Sequence, residues 1–167
     1  SKFDAVVGRG GALRPGRGGV FAINEQMLED CRNCRYAEHS SNLGCQLAVR
    51  FAEPYGLPSF VVDPPLVDEF EPAARISGFP ELVRVSAFHA LNEKNVARKI
   101  AEKLGRKYEE IRIVTAHLGS GVSVTAHNCG MCTDNTYGSG GDGPFSPERA
   151  GRMPALELLD AIENSAA

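Results

Sequence analysis

The chain has 167 residues, 43% hydrophobic and 23% charged, with a net charge of −3, an ordinary globular composition sufficient for one domain or two small lobes. That charge points away from nucleic acid and from anionic membrane surfaces as partners, no apolar run approaches the ~20 residues of a membrane span, and no secretory signal is visible. Glycine is the departure: 18 residues, about 11% against an average near 7%, clustered in loops as in a backbone shaped around ligands.

The chain opens on Ser1-Lys2 without an initiator Met and is expected to be a piece of a longer protein. Residues 3–7 predict a short buried strand. It runs into a glycine-rich loop carrying arginines, Gly8-Arg9-Gly10-Gly11 and on to Gly19. An arginine on such a loop can fork onto a carboxylate or phosphate; a solvated surface loop is the plainer reading. Residues 20–23 are extended. Asn24 is placed to cap a helix over 25–31, with Met27 and Leu28 on its apolar side.

A second helix is predicted within 39–54, with Ser40 or Ser41 as N-cap and Leu43, Leu47 and Phe51 as one buried stripe. Gly44 and Ala48 would let it lie close to a sheet, and Pro54 and Gly56 stop it. Residues 59–63 form a buried strand ending on an acid, Asp63. Strand, helix, strand fits a βαβ crossover with a parallel pair. An acid at the C-terminal end of such a strand faces the edge where α/β sheets bind ligands; a turn cap is the alternative.

Residues 67–82 read as a connector punctuated by Pro72, Gly78 and Pro80, and a division between lobes is expected near 67–78. A helix is predicted over 86–104. Phe88, Leu91, Val96, Ile100 and Leu104 share its apolar face, and Lys94, Arg98, Lys99 and Lys103 lie off it. Gly105 ends it, and His89 falls in its first turn.

Residues 111–116 are apolar and β-branched, the run breaks at His117-Leu118-Gly119-Ser120-Gly121, and it resumes at Val122. Strand, glycine turn, strand is a β-hairpin, with Gly119 and Gly121 expected at positive φ and with no Cβ in the way. Outward-pointing backbone N–H groups in such a turn can hold a phosphate, with His117 and the Ser120 hydroxyl as further donors; a plain hairpin is the competing reading. Residues 132–135 add a third antiparallel strand. The Gly- and Pro-rich stretch 137–151 carries Asp142, Glu148 and Arg149 and reads as a binding loop. A last helix starts over 154–162.

Five cysteines make two C-x-x-C pairs, Cys31/Cys34 and Cys129/Cys132, with Cys45 alone. Four thiolates so spaced can hold zinc. The pairs lie far apart and no other ligand cluster joins them, so free cytosolic thiols are the expectation and a structural zinc module the alternative. The odd count argues against a secreted disulfide framework.

Seven blocks in collinear order carry a resemblance: Val7-Gly8-Arg9-Gly10-Gly11, Glu38-His39-Ser40-Ser41-Asn42-Leu43-Gly44, Val62-Asp63-Pro64, Ala74-Arg75-Ile76-Ser77-Gly78, Phe88-His89-Ala90-Leu91-Asn92, Ala116-His117-Leu118-Gly119-Ser120-Gly121, and Asp142-Gly143-Pro144-Phe145-Ser146-Pro147-Glu148-Arg149. Together they resemble the acetate and butyrate kinases, on the butyrate kinase side, within the sugar kinase, heat-shock 70 and actin superfamily. The resemblance implies an α/β fold of two ribonuclease-H-like lobes with nucleotide in the cleft between them. It implies reversible transfer of the ATP γ-phosphoryl group to butyrate or a similar short-chain carboxylate, in the cytoplasm and in a homo-oligomer.

Carried onto this chain, the resemblance makes Asp63 the catalytic acid that orients Mg²⁺ or the phosphoryl group in flight. His89 and His117 flank that group and Arg149 neutralises it. Arg9 falls where acetate kinases carry histidine. His117, Gly119, Ser120 and Gly121 form the phosphate loop of the second lobe. Residues 1–70 correspond to the later part of the N-terminal lobe, and 71–167 to connector helices and the opening hairpin of the C-terminal lobe. The family's first phosphate loop and its adenosine-binding segment are not in this sequence, so the chain alone is expected to be inactive. A non-catalytic anion- or nucleotide-binding module on the same hairpin is the alternative.

Overall fold

A computed structural model describes residues 2–137 and 143–165; Asp142 lies outside the described residues. The chain forms two separate three-stranded sheets with helices packed on them.

The first sheet has β1 (Val6–Gly8), β3 (Ser59–Val62) and β2 (Val20–Ala22) in that spatial order. β1 pairs parallel with β3, which is the pair predicted across a helix, whereas β2 runs antiparallel to β3. β1 starts later than residue 3 and is not buried: Phe3 and Val7 are 72% and 60% exposed. It is an edge strand, and the helices cover only one face. Asn24 caps α1 (Glu25–Arg32) as predicted, its side chain accepting from the Met27 N–H at 2.9 Å.

α2 (Leu43–Ala52) turns the other way from the prediction. Leu43, Leu47 and Phe51 are 57%, 51% and 64% exposed, while Cys45, Ala48 and Ala52 are buried. The small-residue face is inside because the helix approaches β1 too closely for anything larger. A Cβ on Gly8 would collide with the Gly44 carbonyl and sit 3.2 Å from Ala48 Cβ. Neither Ser40 nor Ser41 supplies the N-cap. The N-cap of α2 is Asn42, without a side-chain bond, and His39 caps the short 3-10 turn (Ser40–Asn42) ahead of it, accepting from the Ser41 N–H at 3.1 Å. Leu13, Leu28, Cys31, Cys45 and Val61 close this core.

α3 (Ala90–Lys103) begins four residues later than predicted, leaving His89 at its N-cap. Residues 86–89 are held out of the helix by the connector: Ser86 Oγ donates to Val67 O at 2.7 Å and the Phe88 N–H to Pro65 O at 3.4 Å. The inward face is Ala90, Glu93, Lys94, Ala97 and Ala101; Leu91, Val96 and Leu104 are 37%, 40% and 63% exposed. Hydrophobicity alone misassigned this face because Glu93 and Lys94 find buried polar partners.

Those partners lie on and beside the second sheet, an antiparallel meander of β4 (Arg112–Leu118), β5 (Val122–Asn128) and β6 (Met131–Asn135). The predicted hairpin joins β4 to β5, closing on Leu118 opposite Val122, and the predicted third strand is β6. The inward side of β5 is polar, with Ser123, Thr125 and His127 buried, while Val114 of β4 is 67% exposed. Neither Gly119 nor Gly121 adopts positive φ, contrary to expectation. α4 (Ala155–Ser165) is exposed along its length. No described helix is long and apolar enough to cross a membrane.

Candidate active site

Two adjoining cavities of about 700 and 640 Å³ share Arg9, Pro65, Phe88, His89 and Ser120. Asp63, Arg98 and His117 line the first; Gly121, Glu148 and Arg149 line the second. Residues drawn from the ends of β1, β3 and α3, from the β4–β5 turn and from the 143–151 segment thus meet in one cleft. Among the described residues assigned to the site from sequence, Gly119 alone lines neither cavity; it backs onto His117, whose Nε2 lies 3.0 Å from where its Cβ would be. Its N–H is taken by Gly121 O at 3.1 Å and is not free for a phosphate.

Asp63 follows the last residue of β3 in the left-handed region, φ 40°, which aspartate tolerates better than most side chains. Its N–H donates to Gly19 O at 2.9 Å, which holds that turn. The side chain caps nothing. Oδ2 pairs with Arg98 Nη1 at 2.8 Å, and Oδ1 is buried with no hydrogen-bond partner among the described residues. A buried carboxylate oxygen left unpaired costs free energy unless a ligand or cation completes it.

His89 and His117 stack face to face, ring centroids 3.7 Å apart and planes within 10°. His117 Nδ1 lies 3.1 Å from Asn92 Oδ1, and His89 Nδ1 lies 2.7 Å from Ser123 Oγ. Burial, then the neighbouring His117, Arg149 and Arg9, push the His89 pKa down from 6.5 to about 4. Three cationic or protonatable groups therefore converge on His89, an arrangement that disfavours one more positive charge and favours an anion.

Arg149 reaches the cleft from a tight turn in which the Ser146 N–H donates to Arg149 O at 2.9 Å, and Ser146 Oγ donates to Ser120 O at 2.6 Å. That bond ties the turn to the hairpin tip. Gly121 has no side chain because Arg149 occupies the space: a Cβ there would collide with Nη1 and lie 3.1 Å from Cζ.

Sequence reading missed Arg98, Glu93 and Lys94, placing Arg98 and Lys94 only as residues off the apolar face of α3. Lys94 pairs with Glu69 at 2.7 Å, both side chains 3% exposed or less. Glu69 also accepts from the Gly18 N–H at 2.9 Å and the Cys132 N–H at 2.6 Å, so it joins the first glycine loop to the second sheet. The available signal was a charged pair interrupting the track from Ala90 to Ala97.

The two cysteine pairs sit on different sheets' sides. Burial pushes the Cys31 and Cys132 thiols up to about 12, which keeps them neutral and poor as ligands. No group of three or more His, Cys, Asp or Glu suited to a metal occurs among the described residues.

The Acetokinase family profile matches residues 79–143. Over 161 residues the chain is 53% identical to a probable butyrate kinase of Listeria innocua and 52% to one of Listeria welshimeri, covering 96% of this chain and 45% of each relative. The chain thus spans about half the length of the curated relatives it matches. An acetate kinase structure from Porphyromonas gingivalis superposes with a TM-score of 0.74 at 22% identity, over 98% of this chain and 44% of that one. A propionate kinase from Francisella tularensis gives 0.60 at 20%, over 89% and 41%. Those superpositions show the fold, part of the two-lobed α/β architecture that the sequence implied. Over the stretch that it spans, the chain matches a part of the acetate and butyrate kinase family.

Proposed function

We propose that the protein carrying this chain is a butyrate kinase, transferring the γ-phosphoryl group of ATP reversibly to butyrate or a similar short-chain carboxylate. The observation that carries this reading is the single cleft into which Arg9, Asp63, His89, His117 and Arg149 converge. The names of the relatives, probable butyrate kinases, support the acceptor.

A carboxylate oxygen attacks the γ-phosphorus, the bond to the bridging oxygen breaks, and ADP departs with that oxygen's electrons. A carboxylate is already a nucleophile, so no strong general base is needed. The work is positioning two anions and neutralising the charge that spreads over the phosphoryl oxygens. Arg149 and Arg9 supply fixed positive charge, His117 and His89 flank the group, and Ser120 offers a hydroxyl at the hairpin tip. The unpaired Oδ1 of Asp63 fits a hard cation. Mg²⁺, held there and by the nucleotide's phosphates, would neutralise the β- and γ-oxygens.

The boundary between lobes is placed at 67–78, supported by two sheets that share no strand. A cytoplasmic setting is supported by five free cysteines, and homo-oligomerisation by exposed Leu47 and Phe51 on α2 and Leu156 and Ile162 on α4. The test is an acyl-hydroxamate assay on the full-length protein with ATP, Mg²⁺ and acetate, propionate or butyrate. Product is expected, most with butyrate. ATP binding without product from any of the three would refute the kinase and favour a non-catalytic nucleotide-binding module.

A further inference from the structure

Behind His89 lies a buried polar chain that the proposed reaction does not itself use. Ser123 Oγ donates to Glu93 Oε1, and Thr115 Oγ1 donates to Glu93 Oε2 at 2.6 Å. Thr115 Oγ1 lies 2.8 Å from His127 Nε2, and His127 Nδ1 lies 2.7 Å from the Tyr108 hydroxyl. Glu93 is 1% exposed, Ser123 0% and His127 2%. This chain links the cleft to the far end of the second sheet.

Counting protons orders the whole chain. A carboxylate has only acceptors, so both hydroxyls spend their single hydrogen on Glu93. Thr115 Oγ1 must then accept from His127 Nε2–H, which leaves His127 Nδ1 to accept from the Tyr108 hydroxyl. By the same count Ser123 Oγ can only accept from His89, so the His89 proton sits on Nδ1.

We propose that Glu93 is a positioning residue for His89. Through Ser123 it fixes the ring's orientation and holds the Nδ1–H tautomer, leaving Nε2 as an unprotonated nitrogen with no hydrogen-bond partner among the described residues. This rests on the reading of the cleft as a phosphoryl-transfer site. It adds a specific consequence there: neutral His89 presents a lone pair at Nε2, and it donates to a phosphoryl oxygen only after taking up a second proton. The charges that face His89 govern that step. They are His117 on β4, Arg149 in the 143–151 segment and Arg9 after β1, with Glu93 on its own helix acting through Ser123. An arriving polyanion offsets the three that repel the proton.

The test is long-range ¹H–¹⁵N correlation on full-length protein with ¹⁵N-labelled histidine, without ligand at neutral pH, beside steady-state kinetics. Wild type is expected to show His89 as the Nδ1–H tautomer. Ser123→Ala and Glu93→Gln should release it to a mixture or to Nε2–H. They should lower kcat about 10- to 100-fold, the usual cost of losing a histidine's orienting partner, with KM for ATP little changed. Thr115→Val removes Glu93's other donor and should lower stability while leaving the His89 tautomer in place. Ser123→Ala is a small buried change and keeps the test open if Glu93→Gln does not fold. An Nε2–H tautomer in wild type, or an unchanged tautomer and kcat in Ser123→Ala, would overturn the inference. Absence of kinase activity in wild type would instead sink the proposed reaction, with the tautomer spectrum still deciding the role of Glu93.

Discussion

Gly121→Ala separates activity from stability. The added Cβ would overlap Arg149 Nη1, and it would lie 3.1 Å from Arg149 Cζ and 3.3 Å from His89 Cε1. Ordinary contact needs about 3.5 Å or more, so the guanidinium has to retreat by more than about 1 Å. Gly121 is not at positive φ, so alanine fits the backbone. The fold should therefore lose nothing, and it could gain about 0.4–1 kcal/mol through a less flexible unfolded chain. Catalysis should suffer: a 1 Å misplacement of a positioned group costs about 100-fold, equivalent to about 2.7 kcal/mol of transition-state stabilisation. The assay is acyl-hydroxamate formation by the full-length protein with saturating ATP and butyrate, beside thermal denaturation of the same samples. A kcat within threefold of wild type, with Tm unchanged, would show that Arg149 does not act from the position that Gly121 leaves open.

Asp63→Asn should reduce kcat at least about 100-fold while changing KM for ATP little, because a carboxylate on the metal or phosphoryl acts mainly in the transition state. Asparagine also tolerates φ 40°, so the comparison is not confounded by backbone strain, and near wild-type turnover would remove Asp63 from its role. Lys94→Met should destabilise the fold by about 3–5 kcal/mol, since it strands Glu69 without its cation in a buried site; a change below about 1 kcal/mol in chemical denaturation would contradict this. Acid should also weaken the fold. His89 and His127 are both held down to about 4 from 6.5, each chiefly by burial, so the unfolded chain binds more protons between those values. Their contribution is complete above about pH 6.5 and is lost as pH falls towards 4. NMR titration giving either histidine a value at or above 6.5 in the ligand-free protein would refute that window.

The elements legible in sequence were those specified by neighbours along the chain. Asn24 capped α1, Gly44 and Ala48 marked the close face of α2, and the β-branched runs around His117–Gly121 made the hairpin. In each case the information is a periodicity or a turn within a few residues. The motif blocks also contain Arg9, Asp63, His89, His117, Ser120, Gly121 and Arg149, which line the cleft, because each block keeps its own local spacing.

For α1 the inward side was legible, with Leu28 buried and Met27 packed beside it; for α2 and α3 the larger apolar stripe was the wrong guide. Leu43, Leu47 and Phe51 make a better apolar stripe than Cys45, Ala48 and Ala52, but the distance to β1 selects the smaller set. On α3 the inward face holds Glu93 and Lys94 because Thr115, Ser123 and Glu69 await them across the fold. The Asp63–Arg98 pair spans 35 positions in sequence, and the stacked histidines come from a helix cap and a strand end. By itself the sequence located most strands, the hairpin and most helix limits, to within a few residues. The tertiary structure alone decided which polar groups are buried and paired, since a charge can leave water only where a distant segment supplies its partner.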